Sequence, residues 1–514
     1  MATQKITPPF AWLGAHTTIV SLIGTVGIAA FFRFLNIDTL PPALYAGSAV
    51  IGLQAAALAD SFTLPGLTAA NGFAPLFVWL QALPVKLLGH TELALKLMPA
   101  LLGTLAVVAT WLWARSWFGL RAAWLAAFLL AVTPWAVTLS RSGIEAAVYP
   151  LLTPLTLYVA TRAWQQRTLG THIALGLVLA ANLLAGPVGW LIAATTVITG
   201  AIFLLRSNKL FVLDKPRLAL LGGLAVGLGA VSYLFATSWS SLKSLPVVIG
   251  LAGSISALAS NIVTTLLMFH SRGDENFRHN FASQPMLNAF VGLMFVAGLL
   301  VSISRLRDRR YRVLLAFFIV LMLPALITTV GAPNAGRAAA ALPVILTMSA
   351  IGVSYMLELW YRTFPINSAA RAVGQGAILM LLALTLFQGF TQYFRAWANT
   401  ADTWAAYNEA TTRVARQMAA AKPPTGTRYV VAPAPEHPIV QYLVPPTKPY
   451  KLVEAKDLAG LPITPGQYTF LITRSQKDET VKQLKLKFPG GKLQSILSDF
   501  DRTEVYYTYE VTKK

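Results

Sequence analysis

His270-Ser271-Arg272-Gly273-Asp274-Glu275-Asn276-Phe277-Arg278-His279-Asn280 is a dense polar run between long apolar segments, in a chain where charges are otherwise scarce. Two further polar knots share that setting: Ser140-Arg141-Ser142-Gly143-Ile144-Glu145 and Ala332-Pro333-Asn334-Ala335-Gly336-Arg337. Polar clusters separated by stretches long enough to cross a bilayer mark the ends of spans. The expectation is that all three knots lie on one side of a membrane and border a single site.

The chain of 514 residues is 55% hydrophobic and only 12% charged, with a mean hydropathy of +0.59. That is too little charge to cover a soluble surface, so the composition implies a polytopic, all-α membrane protein. The net charge of +21 does not point to nucleic acid, because the basic residues fall in short clusters between apolar runs. With no cysteine, disulfides, thiolate metal sites and cysteine nucleophiles are excluded. No small-residue cleavage site follows the first apolar run, so a retained first helix is expected rather than a signal peptide.

Runs of about 20 apolar residues qualify as spans. They fall at 15–34, 97–114, 121–139, 147–163, 172–186, 188–205, 218–236, 286–304, 313–330, 338–357 and 372–392. Two more apolar stretches, 43–59 and 73–89, are broken by Pro and Gly and fit the interface as well as a span. With the N-terminus cytoplasmic and neither stretch spanning, the inner loops hold Arg115, Arg121, Arg162, Arg167, Arg206, Lys209, Lys215, Arg217, the cluster Arg305–Arg312, Arg362 and Arg371. This is a positive-inside pattern; it predicts about 11 to 13 transmembrane helices, a long outer loop at 35–96 and an extracytoplasmic C-terminus. Residues 393–514 hold 17 of the 41 basic and 11 of the 20 acidic residues, which marks a water-facing region. Within 1–392 the membrane domain is expected. A linker helix over 393–422 and a small α/β domain over 423–514 follow, with strands at 428–433, 468–473 and 503–512 and a helix at 477–488.

Few groups are left for chemistry. The membrane part has nine acidic residues, and this topology leaves Asp38, Asp60, Glu92, Glu145, Asp274 and Glu275 outside. Glu145 follows Arg141 by four residues, a spacing that would put both on one helix face. The pair would either anchor a helix end or position a hydroxyl beside a phosphate. Asp274 and Glu275, with Arg272, Arg278 and His279, form the richest polar cluster, which reads as solvated loop or as site. His279 reads as a hydrogen-bonded loop residue rather than a metal ligand, and nothing has metal-ligand spacing. Arg337 opens the run 338–357, where a guanidinium beside free backbone N–H groups makes a phosphate seat or snorkels to headgroups. Arg33 and Asp38 flank the first span as a possible pair, and Lys86, Lys96 and Lys243 read as headgroup contacts.

Over residues 30–400 the chain resembles the integral-membrane glycosyltransferases of the C-type fold. The similarity is to the branch of dolichyl-phosphate-mannose protein mannosyltransferases and bacterial aminoarabinose transferases. Its motifs are Leu40-Pro41-Pro42-Ala43-Leu44-Tyr45, Gly72-Phe73-Ala74-Pro75-Leu76 ahead of a helix ending at Leu88-Gly89, and the three polar knots. The resemblance implies transfer of a sugar from a polyprenyl-phosphate donor to a glycan, lipid or protein acceptor at the outer face of a bacterial plasma membrane. Neither cofactor nor divalent metal is required, since the lipid phosphate is the leaving group. Among the residues read above, Glu145, Asp274 and Asp60 are the candidates for catalysis, and Arg141, Arg337, Arg278, His279, Asn276 and Arg272 those for lipid phosphate and acceptor. One departure stands out. The family places an Asp-Glu pair shortly after the tyrosine, and this chain has Gly47-Ser48 there. The alternative is therefore a catalytically inactive relative that binds lipid-linked sugar or scaffolds a membrane protein partner. A transporter is disfavoured because no charge lies mid-span.

Overall fold

An apolar segment in a bilayer must satisfy its backbone internally, so it folds as a helix. The computed structural model of the chain follows that rule and describes residues 17–61, 74–206, 215–237, 254–328, 331–421, 426–461, 465–498 and 501–513. Gly72, Phe73, Lys209, Asp214, Lys243 and the expected linker end at Lys422-Pro423-Pro424 lie outside them. The helices are α1 (Thr17–Phe34), α2 (Ala46–Ser61), α3 (Pro75–Leu88), α4 (Glu92–Val132), α5 (Pro134–Leu139), α6 (Tyr149–Gln166), α7 (Leu169–Leu184) and α8 (Pro187–Arg206). They continue as α9 (Lys215–Thr237), α10 (Ile255–Leu267), α11 (Ala289–Ser304), α12 (Arg309–Ile327), α13 (Leu342–Thr363), α14 (Ser368–Phe390), α15 (Ala401–Ala406) and α16 (Glu409–Ala420).

Among the described residues five helices, α4, α8, α12, α13 and α14, are long and apolar enough to cross a membrane. Shorter apolar helices fall at several of the remaining expected segments. Helix α4 absorbs two of the expected spans. It breaks at Gly119, whose φ of 83° only glycine adopts freely, so two helical segments meet at a kink without a loop. The short helix α10 was not expected, because Asn261, Thr264 and Thr265 interrupt its apolar run.

The chain forms two compact units. Unit 1 comprises residues 1–35, 99–140 and 145–393. Its helices α11 and α13 touch backbone to backbone. A Cβ on Gly298 would fall 1.7 Å from the Met348 carbonyl oxygen, and one on Gly352 would fall 2.0 Å from that of Met294. Small residues at such crossings are how membrane helices gain van der Waals contact when lipid is as apolar as leucine. Arg33 is fully buried in this unit, and its guanidinium donates to the Leu130 and Ala131 carbonyls at the end of α4, at 3.0 Å each.

Unit 2 comprises residues 36–98, 141–144 and 394–514. Its C-terminal part is a five-stranded sheet of β1 (Thr427–Val431), β2 (Lys451–Val453), β3 (Gly466–Thr473), β4 (Lys492–Leu497) and β5 (Glu504–Lys513). The strand order is β2-β1-β3-β5-β4, with β1 parallel to β2 and β3, and β5 antiparallel to β3 and β4. Helices α17 (His437–Leu443) and α18 (Lys477–Lys487) complete it. Tyr429, Phe470, Ile472, Leu484, Phe488 and Tyr509 form an apolar core between α18 and the sheet.

Candidate active site

The polar run at 270–280 folds into a loop closed at its neck. Met286 N–H donates to the Met268 carbonyl (2.9 Å) and Gly273 N–H to the Ser283 carbonyl (3.0 Å). Gly273 is required there, since a Cβ would sit 2.2 Å from the Gln284 carbonyl oxygen. The Asn280 amide donates to the carbonyls of Asp274 (3.0 Å) and Gln284 (2.7 Å) and draws the two sides together. This closure turns Asp274 inward, where it is 2% exposed.

Three donors converge on the Asp274 carboxylate. The Asn276 N–H reaches Oδ1 at 2.8 Å, while the Ala335 N–H and His279 Nδ1 each reach Oδ2 at 2.8 Å. A buried carboxylate is tolerated when it is satisfied in this way. The bond from Ala335 joins two of the three polar knots, 61 residues apart. The bond from His279 fixes the ring and puts the proton on Nδ1, so Nε2 is the acceptor when the imidazole is neutral. That nitrogen lies over Gly336, where an added Cβ would be 3.2 Å away. Asp274 thereby ties the His279 ring to two backbone N–H groups.

Glu145 sits in a single 3-10 turn just ahead of α6 and is half-buried. Burial pushes its carboxyl above the usual range, and the nearby His279 and Arg278 pull back less strongly. Arg337 is held by its own N–H to Asn334 Oδ1 (2.9 Å), and its guanidinium donates to Thr328 Oγ1 at 2.6 Å. Burial lowers the Arg337 value, against the raising influence of the Asp274 charge. A carboxyl of raised pKa, an oriented imidazole and two guanidinium groups are thus assembled in unit 1. Together they can accept a proton and stabilise an anion.

Other expected residues go elsewhere. Arg141 and Glu145 share no helix face, because Gly143 takes a φ of 73° and no helix spans 141–145. Arg141 is fully buried in unit 2, and its guanidinium donates to the carbonyls of Asn36 (3.2 Å) and Leu40 (3.0 Å). Asp60 is exposed in the last turn of α2. Arg272 pairs with Glu275 in the open, and Asn276 Oδ1 accepts from the Arg278 N–H at 3.0 Å. Lys96 is no headgroup contact. It is 3% exposed, and its ammonium donates to the carbonyls of Pro41 (2.7 Å) and Asp38 (3.2 Å). Arg416 adds a bond to the Pro42 carbonyl (3.0 Å) and a bidentate pair with Glu92 at 2.6 and 2.7 Å. Sequence spacing carried a hint of Lys96 in the Glu92–Lys96 interval but none of Arg416. At the departing positions, the Ser48 hydroxyl donates to the Tyr45 carbonyl (2.6 Å), and a Cβ on Gly47 would be 2.5 Å from Tyr45 Cε1. Among the described residues no three histidines or carboxylates gather as metal ligands would.

Residues 72–235 match the sequence profile of the dolichyl-phosphate-mannose-protein mannosyltransferase family. The resemblance to that branch of membrane glycosyltransferases is borne out, and the fold extends the likeness over nearly the whole chain. ArnT from Cupriavidus metallidurans in the apo state superposes with a TM-score of 0.58 at 14% identity, covering 97% of this chain and 98% of that one. The same enzyme bound to undecaprenyl phosphate gives 0.56 at 13% identity, covering 98% of each. The Archaeoglobus fulgidus oligosaccharyltransferase tethered to an acceptor peptide gives 0.52 at 16%, covering 85% of this chain and 65% of that one. No curated protein matches by sequence alone. The chain is a mostly helical membrane protein with an ArnT-like fold and a small C-terminal sheet.

Proposed function

We propose that this protein transfers a sugar from a polyprenyl-phosphate-linked donor to an acceptor at the outer face of the bacterial plasma membrane, with its C-terminal domain on that side. The observation that carries the reading is Glu145, a carboxyl of raised pKa near Arg278 and an imidazole oriented by Asp274. The ArnT-like fold and the mannosyltransferase match support lipid-linked sugar transfer in general. In the proposed step Glu145 takes the proton of the acceptor hydroxyl as its oxygen attacks the anomeric carbon. The bond from that carbon to the phosphate oxygen breaks, and polyprenyl phosphate leaves with the electron pair. Arg278, Arg337 and His279 offset the charge that develops on it.

The experiment is transfer from a polyprenyl-phosphate sugar in proteoliposomes, comparing wild type with E145Q. Loss of about 10²–10⁴-fold in kcat with the variant still folded is expected of a general base; full activity removes Glu145 from the step. A second reading, an inactive binding or scaffold protein, is favoured by Gly47-Ser48, packed where the family has its acids. Under that reading wild type retains polyprenyl phosphate through purification but shows no turnover with any donor.

A further inference from the structure

Unit 1 also has a cavity of about 420 Å³ at the end away from Glu145. Glu145 precedes the N-terminus of α6, and Trp164 and Gln165 at the C-terminal end of that helix line the cavity. The helix rises ~1.5 Å per residue, which separates the two places by roughly 27 Å.

The wall and the rim differ in chemistry. Trp164, Phe203, Val313 and Phe317 give an apolar wall, while Arg309, Arg310 and Asp308 stand at the rim. Arg309 lies over the Phe203 ring at 6.0 Å, and Arg310 is fixed by Asp308 and by the Trp117 carbonyl. Trp117 is anchored in turn through Nε1 to Thr161 Oγ1 at 2.7 Å. Trp117 and Arg310 also border a second, polar cavity of about 480 Å³ that adds Arg305 and Glu358. The two rims together have an excess of positive charge, and Arg307 and Arg312 on the same turn are exposed. A soluble anion has no use for the aromatic wall, and a neutral lipid has none for the arginines. The wall is also open: a Cβ on Gly200 would meet nothing within 4 Å.

We propose that this cavity binds a lipid with an anionic phosphate headgroup, its chain against Trp164 and Phe203 and its phosphate at Arg309 and Arg310. The site is separate from the one at Glu145 and does not depend on the transfer reading. Basic pockets between membrane helices recognise lipid phosphates through this combination.

The test is tryptophan quenching in the detergent-purified full-length protein, titrated with bromo-acyl phosphatidylglycerol and, in parallel, bromo-acyl phosphatidylcholine. Saturable quenching by the anionic lipid is expected, weakened about fivefold by Arg309→Gln, the effect of one basic residue at an anionic headgroup. Gly200→Leu, which puts a side chain into the open space at the wall, should abolish it. Unlabelled polyprenyl phosphate as competitor separates the sources: displacement assigns the site to the carrier lipid, and none assigns it to phospholipid. Equal quenching by the neutral lipid overturns the proposal, as does quenching unchanged in both variants. Arg309 is exposed, so its variant tests the idea even if Gly200→Leu fails to fold.

Discussion

The loop at 268–287 in unit 1 and the loop at 36–42 in unit 2 are both held by ionic side chains, with opposite signs. In the first, one carboxylate gathers two backbone N–H groups and an imidazole. In the second, Arg141, Lys96 and Arg416 gather five backbone carbonyls of one short stretch. The Leu40-Pro41-Pro42 motif is therefore used for its carbonyl oxygens; its two prolines lack an N–H that could compete for partners. The difference lies in what remains available. Arg141, Lys96 and Arg416 turn to the 36–42 carbonyls, Arg416 also to Glu92, whereas in unit 1 Glu145 lies near His279 and Arg278.

The comparison breaks most sharply at Glu145, through the transfer assay above and through pH. Its folded carboxyl is raised above the ordinary value near 4.3, so the folded state holds that proton more tightly than the unfolded chain. The stability this proton contributes is complete below the unfolded value and is lost as pH rises through the raised folded value. Wild type should therefore lose stability against E145Q across that window in melting scans, and the rising limb of kcat/KM should lie above the ordinary carboxylate range. A flat difference between the two proteins would remove the buried-carboxyl picture.

Next in size is Asp274→Ala, which strands the Ala335 and Asn276 N–H groups and should cost about 3 kcal/mol in detergent unfolding. Because His279 loses its anchor, kcat should fall as well, and Asp274→Asn should recover part of the stability but less of the rate. A mutant that loses stability with an unchanged rate would reduce Asp274 to scaffolding. Lys96→Met probes the other loop. It leaves the Pro41 and Asp38 carbonyls without their cation and should cost about 1–3 kcal/mol, with KM and kcat intact if the unit 2 cations are structural. The smallest effect belongs to Arg272→Ala. The Arg272–Glu275 pair is solvent-exposed, so melting and turnover should not change measurably.

Much of the helical architecture was legible because apolar runs in lipid have one way to satisfy their backbone. Three of the five strands of the C-terminal sheet were legible, at 428–433, 468–473 and 503–512, while β2 and β4 were not expected. Helix α10 was hidden because Asn261 and Thr265 read as polar interruptions. In the fold they face inward, with Asn261 donating to the Leu326 carbonyl at 2.6 Å. The residues of the candidate site were legible as types but not as roles. The bond of Asp274 to Ala335 was hidden because the two are remote in sequence, and the expected shared helix face of Arg141 and Glu145 is undone by the positive φ of Gly143. Lys96 was misread because hydropathy cannot distinguish a cation facing lipid headgroups from one facing carbonyls.

The hydrogen-bonded neck of the 268–287 loop has an evolutionary corollary. With Met268 and Met286 tied together, the length of the excursion between them is uncoupled from the register of α10 against α11. Length changes in the excursion need not shift either helix, provided Asp274 keeps its bonds to His279 and to the Ala335 N–H. Unit 2 has no such freedom at 36–42, where every carbonyl from Pro41 to Pro42 is already claimed and a single inserted residue would misplace them all.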